Sequence, residues 1–177
     1  WEAIFLREFA RFVGSYAITD HIDESIAHTT ERLRVFYRNL RPLTAEKKCF
    51  QIFDWDDTLL PSSFLSSQGY RLDSQKEMSQ DLKNQLAQLE KSVVAFMKMA
   101  IAQGGRVYII TNAEQGWVEL SAAKFMPSVV PLLASLEVIS ARTRYEDRFP
   151  ESPLQWKYYA FQNNLAKAFT NDLKAKS

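Results

Sequence analysis

A single cysteine, Cys49, excludes an intrachain disulfide framework and a cysteine-based zinc cluster from this 177-residue chain. A reducing, intracellular setting such as the cytoplasm is the expectation that follows. Five glycines and six prolines exclude collagenous or proline-rich low complexity. No apolar run approaches the roughly 18 residues needed to span a bilayer. Charge of one sign is also missing. Lysine and arginine number 22 against 21 acids, a net charge of +1, which excludes nucleic-acid binding by bulk charge and an acidic tail. What is present is ordinary for a folded domain: 46% hydrophobic and 24% charged residues. The chain begins at Trp1 and ends in a lysine-rich stretch, and both ends suggest a piece of something longer.

Residues 1–47 read as a helical N-terminal arm. Ile4, Phe5, Phe9, Phe12, Val13 and Tyr16 recur at helical spacing, and Ile22, Ile26, Leu33, Phe36, Tyr37 and Leu40 form a second apolar face before Pro42. Such an arm can dock on its own chain, on a partner or on a membrane surface. His21 and His28 lie on one face of the second helix, but no third ligand is in view, so they read as surface or interface residues.

Residues 48–177 have a different rhythm. Cys49 to Phe53 reads as a short buried strand, followed by a loop from Pro61 to about Ser74. Met78, Leu82, Leu86, Leu89, Val93, Phe96, Met97 and Ala100 predict a helix over 76–103, closed by Gly104-Gly105. Arg106 to Thr111 predicts a second strand, 115–125 and 128–133 two helices, and 137–141 a third strand. A last helix is expected from Leu154 to Phe169. Alternating strands and helices point to an α/β fold with a parallel sheet. In such sheets the working residues lie beyond the carboxyl ends of the strands.

The first strand ends in Asp54-Trp55-Asp56-Asp57-Thr58. Three carboxylates in four residues repel one another and call for a counter-charge, most simply a divalent cation. Asp54 and Asp56, two apart, share a side in extended chain, and Asp57 points away. The second strand ends in Thr111-Asn112, and Lys157 stands near the start of the last helix. Two carboxylates, a hydroxyl and an ammonium at one sheet edge suit phosphoryl transfer, with one carboxylate as nucleophile and the other handling the leaving-group proton. Trp55, Trp117 and Trp156 adjoin these residues, as walls of a site or as packing. Glu114 and Gln115 read as exposed loop residues.

Phe53 to Leu59 (FDWDDTL) resembles the first motif of the haloacid dehalogenase (HAD) superfamily, an apolar strand followed by DxDx[T/V]. Val107 to Asn112 (VYIITN) resembles its second motif, and Lys157 in PLQWKYYAF its third-motif lysine. The resemblance covers about residues 48–170 and implies a HAD-like, Rossmannoid three-layer sandwich. It implies that Asp54 is the nucleophile, forming an aspartyl-phosphate and binding Mg²⁺, and that Asp56 is the general acid/base and gives its backbone carbonyl to the metal. Thr111 and the Asn112 N–H would bind the phosphoryl group, and Lys157 would offset charge. An Asp at the second position of the first motif implies a phosphatase or phosphotransferase.

The family's fourth motif, an acidic pair after a fourth strand, has no counterpart. Asp172 is the only acid after Lys157, and it reads as part of a helix end. The domain is therefore expected to be incomplete at its C-terminus. Neither the stretch from Thr58 to Gly104 nor that from Ser140 to Lys157 has room for a cap domain. By the resemblance, a capless site goes with large phosphorylated substrates, proteins or nucleic-acid ends among them, or with a lid from another chain. Two functions compete: a Mg²⁺-dependent phosphoester hydrolase, and a catalytically inactive HAD-like binding module contacting partners through the arm. A phosphomutase-like transferase is the weaker third, since a cap is absent.

Overall fold

The computed structural model describes residues 50–103 and 106–174, together with Ile26 and residues 29–31. The rest of the proposed arm, Cys49 and the Gly104-Gly105 stop lie outside the described residues.

Three short apolar runs become strands because their alternate residues are buried on opposite faces of one sheet. They are β1 (Phe50–Phe53), β2 (Arg106–Thr111) and β3 (Glu137–Ser140). All pair in parallel, in the order β1-β2-β3. The register sets Ile52 beside Tyr108 and Phe53 beside Ile109, then Ile109 beside Val138 and Ile110 beside Ile139. Phe53, Ile109 and Val138 belong to one apolar cluster, and Ile52, Tyr108, Ile110 and Ile139 to another. The sheet is thus buried on both faces, as parallel sheets require.

The first face is covered by α2 (Gln80–Ala102) and α3 (Trp117–Phe125). Leu82, Leu86, Leu89, Val93, Phe96, Met97 and Ala100 are all buried, as the heptad-like spacing predicts. The helix starts at Gln80 and not at 76 because the Ser79 side chain accepts the Leu82 N–H (3.2 Å), satisfying a donor that the first turn would otherwise leave open. Ile26 is buried in the same cluster. A turn of 3₁₀ helix (Pro127–Val129) and α4 (Val130–Leu133) continue this layer.

The second face is covered by α5 (Ala141–Tyr145) and α6 (Pro153–Lys174), through Ala141, Trp156, Ala160 and Phe161. The last helix runs five residues beyond the predicted Phe169 and takes in Asp172. One further helix, α1 (Ser62–Ser67), stands where a loop is expected from the serine- and proline-containing sequence. Its first turn is held by Asp57, which accepts from the Ser63 N–H (2.8 Å) and the Ser63 hydroxyl (2.5 Å), and Leu65 anchors it in the core. No helix among the described residues is long and apolar enough to cross a membrane.

Candidate functional site

The carboxyl ends of β1 and β2 bring Asp54, Asp56 and Thr111 to one edge of the sheet. Immediately after β1 the chain folds into a tight turn. The Leu59 and Leu60 N–H groups donate to the Trp55 carbonyl (2.9 and 3.0 Å), and Asp57 N–H donates to the Leu60 carbonyl (2.7 Å). Asp57 takes a left-handed φ of 54°, a conformation that Asp tolerates better than most side chains. That turn sends Asp57 towards α1, so its carboxylate is a local structural acceptor, apart from the other two.

Asp54 is 7% exposed and lies 2.5 Å from the ammonium of Lys157, itself 6% exposed. The pair joins positions 103 residues apart. Asp54 also accepts the Trp55 backbone N–H (2.9 Å). Burial pushes its carboxyl above the ordinary value, Lys157 pulls against that shift, and the neighbouring charge of Asp56 adds to it. The buried lysine is no surface residue: α6 delivers it to the sheet edge while Trp156 and Ala160 pack below.

Asp56 is held differently, by two uncharged donors. The Thr111 hydroxyl donates to Oδ2 (2.9 Å) and the Trp117 indole N–H to Oδ1 (2.8 Å). Thr111 Oγ1 in turn accepts the Ala113 N–H (2.9 Å). The turn after β2 is tied to that after β3. Ser140 donates to the Ala113 carbonyl (2.6 Å), and the Gln115 N–H donates to Thr143 (3.1 Å). Asn112 lies in this turn with its side-chain oxygen buried and, among the described residues, without a hydrogen-bond partner.

The three tryptophans separate into two groups. Trp55 is wholly buried and donates to Ser121 (2.9 Å), and Trp156 donates to the Phe149 carbonyl (2.7 Å); both are packing residues. Trp117 is at the site. Its link to Asp56 spans 61 residues, and no local signal in the sequence carries it. Beside Asp56 opens a cleft of about 550 Å³. Helix α1 contributes Ser62, Ser63 and Ser66, and the opposite elements contribute Glu114, Gln115, Trp117, Leu120 and Arg142. Arg142 is held at its rim by Glu146 (2.9 Å) and Glu114 (3.7 Å).

Among the described residues, no group of three His, Cys, Asp or Glu side chains could hold a metal ion. The side-chain oxygens of both Asp54 and Asp56 already have partners, so a cation here would share the Asp54 carboxylate with the Trp55 N–H and Lys157 and draw on the Asp56 backbone carbonyl. That set fits Mg²⁺, which keeps several waters and binds through one or two carboxylates plus substrate phosphate; it does not fit an all-protein calcium cage.

Searches against protein-family models, curated proteins and solved structures find no match to this chain.

Proposed function

We propose that the chain is a Mg²⁺-dependent phosphoester hydrolase of the HAD type, working through an aspartyl-phosphate. The observation that supports this reading is the meeting, at one edge of the sheet, of two hydrogen-bonded pairs, Asp54 with Lys157 and Asp56 with Thr111, from three separate stretches of sequence. Asp54 attacks phosphorus, the bond to the leaving oxygen breaks, and Asp56 gives that oxygen a proton. Water then attacks phosphorus, the bond to Asp54 breaks, and the water's proton returns to Asp56. Lys157 holds Asp54 in place and offsets charge as the phosphoryl group arrives. Thr111 and the N–H groups of the turn that follows it receive the phosphoryl oxygens. The Asp54 carboxylate and the Asp56 backbone carbonyl would hold Mg²⁺, which would supply neutralisation of the charge that repels the nucleophile. The open cleft, with no cap domain over it among the described residues, favours a large phosphorylated substrate, proteins included.

A second reading, an inactive binding module on the same fold, is favoured by the short list of metal donors. Hydrolysis of p-nitrophenyl phosphate with and without Mg²⁺, beside Asp54→Asn, separates the two. The hydrolase reading expects turnover that needs both the metal and Asp54. Equal rates in wild type and variant would sink the nucleophile, and turnover indifferent to Mg²⁺ would sink the metal.

A further inference from the structure

Trp117 does two things at once: its N–H holds Asp56 and its side chain lines the cleft. An indole N–H can donate but never accept. A protonated carboxyl oxygen still accepts, but less well than the carbonyl oxygen beside it, so the contact favours Oδ1 as the carbonyl oxygen and a proton on the other. The other oxygen, Oδ2, faces the Thr111 hydroxyl, which can turn from donating to accepting. Thr111 is itself kept in place by the Ala113 N–H. The two partners of Asp56 are thus unequal, and the inequality selects an atom.

We propose that Trp117 is a positioning residue for proton transfer: it pins Oδ1, assigns the transferable proton to Oδ2, and makes the cleft it lines the seat of the leaving group. The proposal rests on the hydrolase reading above. Asp56 lines the cleft and Asp54 does not. A leaving oxygen must lie beside the acid and away from the attacking carboxylate, so the group it carries extends into the cleft. In the first transfer the Asp54–phosphorus bond forms, the phosphorus–leaving oxygen bond breaks, and the Oδ2 proton passes to that oxygen. In the second, the water that attacks phosphorus returns a proton to Oδ2. Throughout, Trp117 keeps the carboxyl plane from turning.

The test uses leaving groups of different need. p-Nitrophenolate departs without a proton, whereas the alkoxide of glycerol 2-phosphate requires one. The quantity kcat/KM reports the first transfer, in which Asp56 is the acid. Trp117→Phe keeps an aromatic ring in the cleft and removes the N–H together with part of the indole's bulk. It is expected to lower kcat/KM for glycerol 2-phosphate about 10²-fold, the scale of a catalytic group displaced by about an ångström. That loss should fall on kcat and not on KM, with p-nitrophenyl phosphate largely spared. Ser79→Ala, which removes the N-cap of α2 and does not line the cleft, is expected to show no such selectivity. An equal loss on both esters would overturn the positioning role and leave the hydrolase standing. Hydrolysis that Asp54→Asn does not diminish would overturn the hydrolase, and the positioning role with it. A measurement free of turnover and of any change at Trp117 is the indole N–H resonance of Trp117. Asp56→Ala is expected to move it upfield, and an unmoved resonance would overturn the contact.

Discussion

Replacing Lys157 with Met keeps the length of a side chain that is 6% exposed and removes its charge. Asp54, 7% exposed, then has two options: stay ionised without its cation, or take up a proton. The second option sets a ceiling on the cost. Protonating a carboxyl of ordinary value 3.8 at pH 7 costs about 4.4 kcal/mol, at 1.36 kcal/mol per pH unit. Breaking a buried pair by removing one partner costs about 3–5 kcal/mol, the same size. Burial already holds the native Asp54 carboxyl above its ordinary value despite Lys157, so part of that cost is present in the wild type. The expected loss at pH 7 is therefore about 3 kcal/mol.

Its pH dependence has a definite sign. In Lys157→Met the folded carboxyl lies further above 3.8 than in the wild type. The stability its proton confers is complete below 3.8 and disappears as pH rises through the folded value. The gap between variant and wild type is thus widest at pH 7, narrows on acidification and closes near pH 4. Urea unfolding at pH 4, 5.5 and 7 in EDTA, followed by tryptophan fluorescence with a shared slope, measures this directly. A gap that is the same at all three pH values would refute the argument, because lost packing does not titrate. A gap under about 1 kcal/mol at pH 7 would equally refute it, since that is the size of an exposed pair.

Ser121→Ala leaves the buried indole N–H of Trp55 without an acceptor, a cost of about 1–3 kcal/mol, against which the better helix former returns about 0.5. A net loss of about 1.5 kcal/mol in urea unfolding is expected, and an unchanged midpoint would show that Trp55 finds another partner. Thr111→Val keeps the shape but removes the donor to Asp56 and the acceptor for the Ala113 N–H. Hydrolysis of p-nitrophenyl phosphate should fall about 10²-fold, and wild-type rates would dismiss Thr111 from the site. Ser79→Ala removes the N-cap of α2 and should cost about 1 kcal/mol in the same unfolding assay without touching hydrolysis.

The sequence carries periodicity and motif spacing well, and it carries distant pairings poorly. The three strands and the buried face of α2 are legible because each is a local pattern of apolar residues whose period matches its element. Asp54, Thr111 and Lys157 are legible because each stands at the end or start of such an element. The helix α1 is not, because its composition is that of a loop; what makes it helical is an acceptor, Asp57, supplied by the preceding turn. Helix α5 is also missed. It is five residues long, and Ser140, which caps it by accepting the Thr143 N–H (3.0 Å), reads equally well as the end of a strand. The role of Trp117 depends on the fold bringing the first turn of α3 over the end of β1, and no spacing encodes that.

The acidic run at residues 54–57 poses the sharpest physical question in this chain, and the partners of its three carboxylates answer it separately. Asp57 is turned aside by a left-handed backbone and held by serines, so it adds no charge to the site. Asp56 meets two neutral donors, which fix its plane. Asp54 alone receives a full counter-charge, in a largely buried pair that keeps its carboxyl oriented. A nucleophile needs to be charged and immobile, an acid/base needs to be oriented and exchangeable, and a bystander needs to be out of the way. Three residues of one chemical type in four positions receive those three environments. That difference in partners, more than the presence of the carboxylates themselves, is what supports the proposed group transfer over a simple acidic turn.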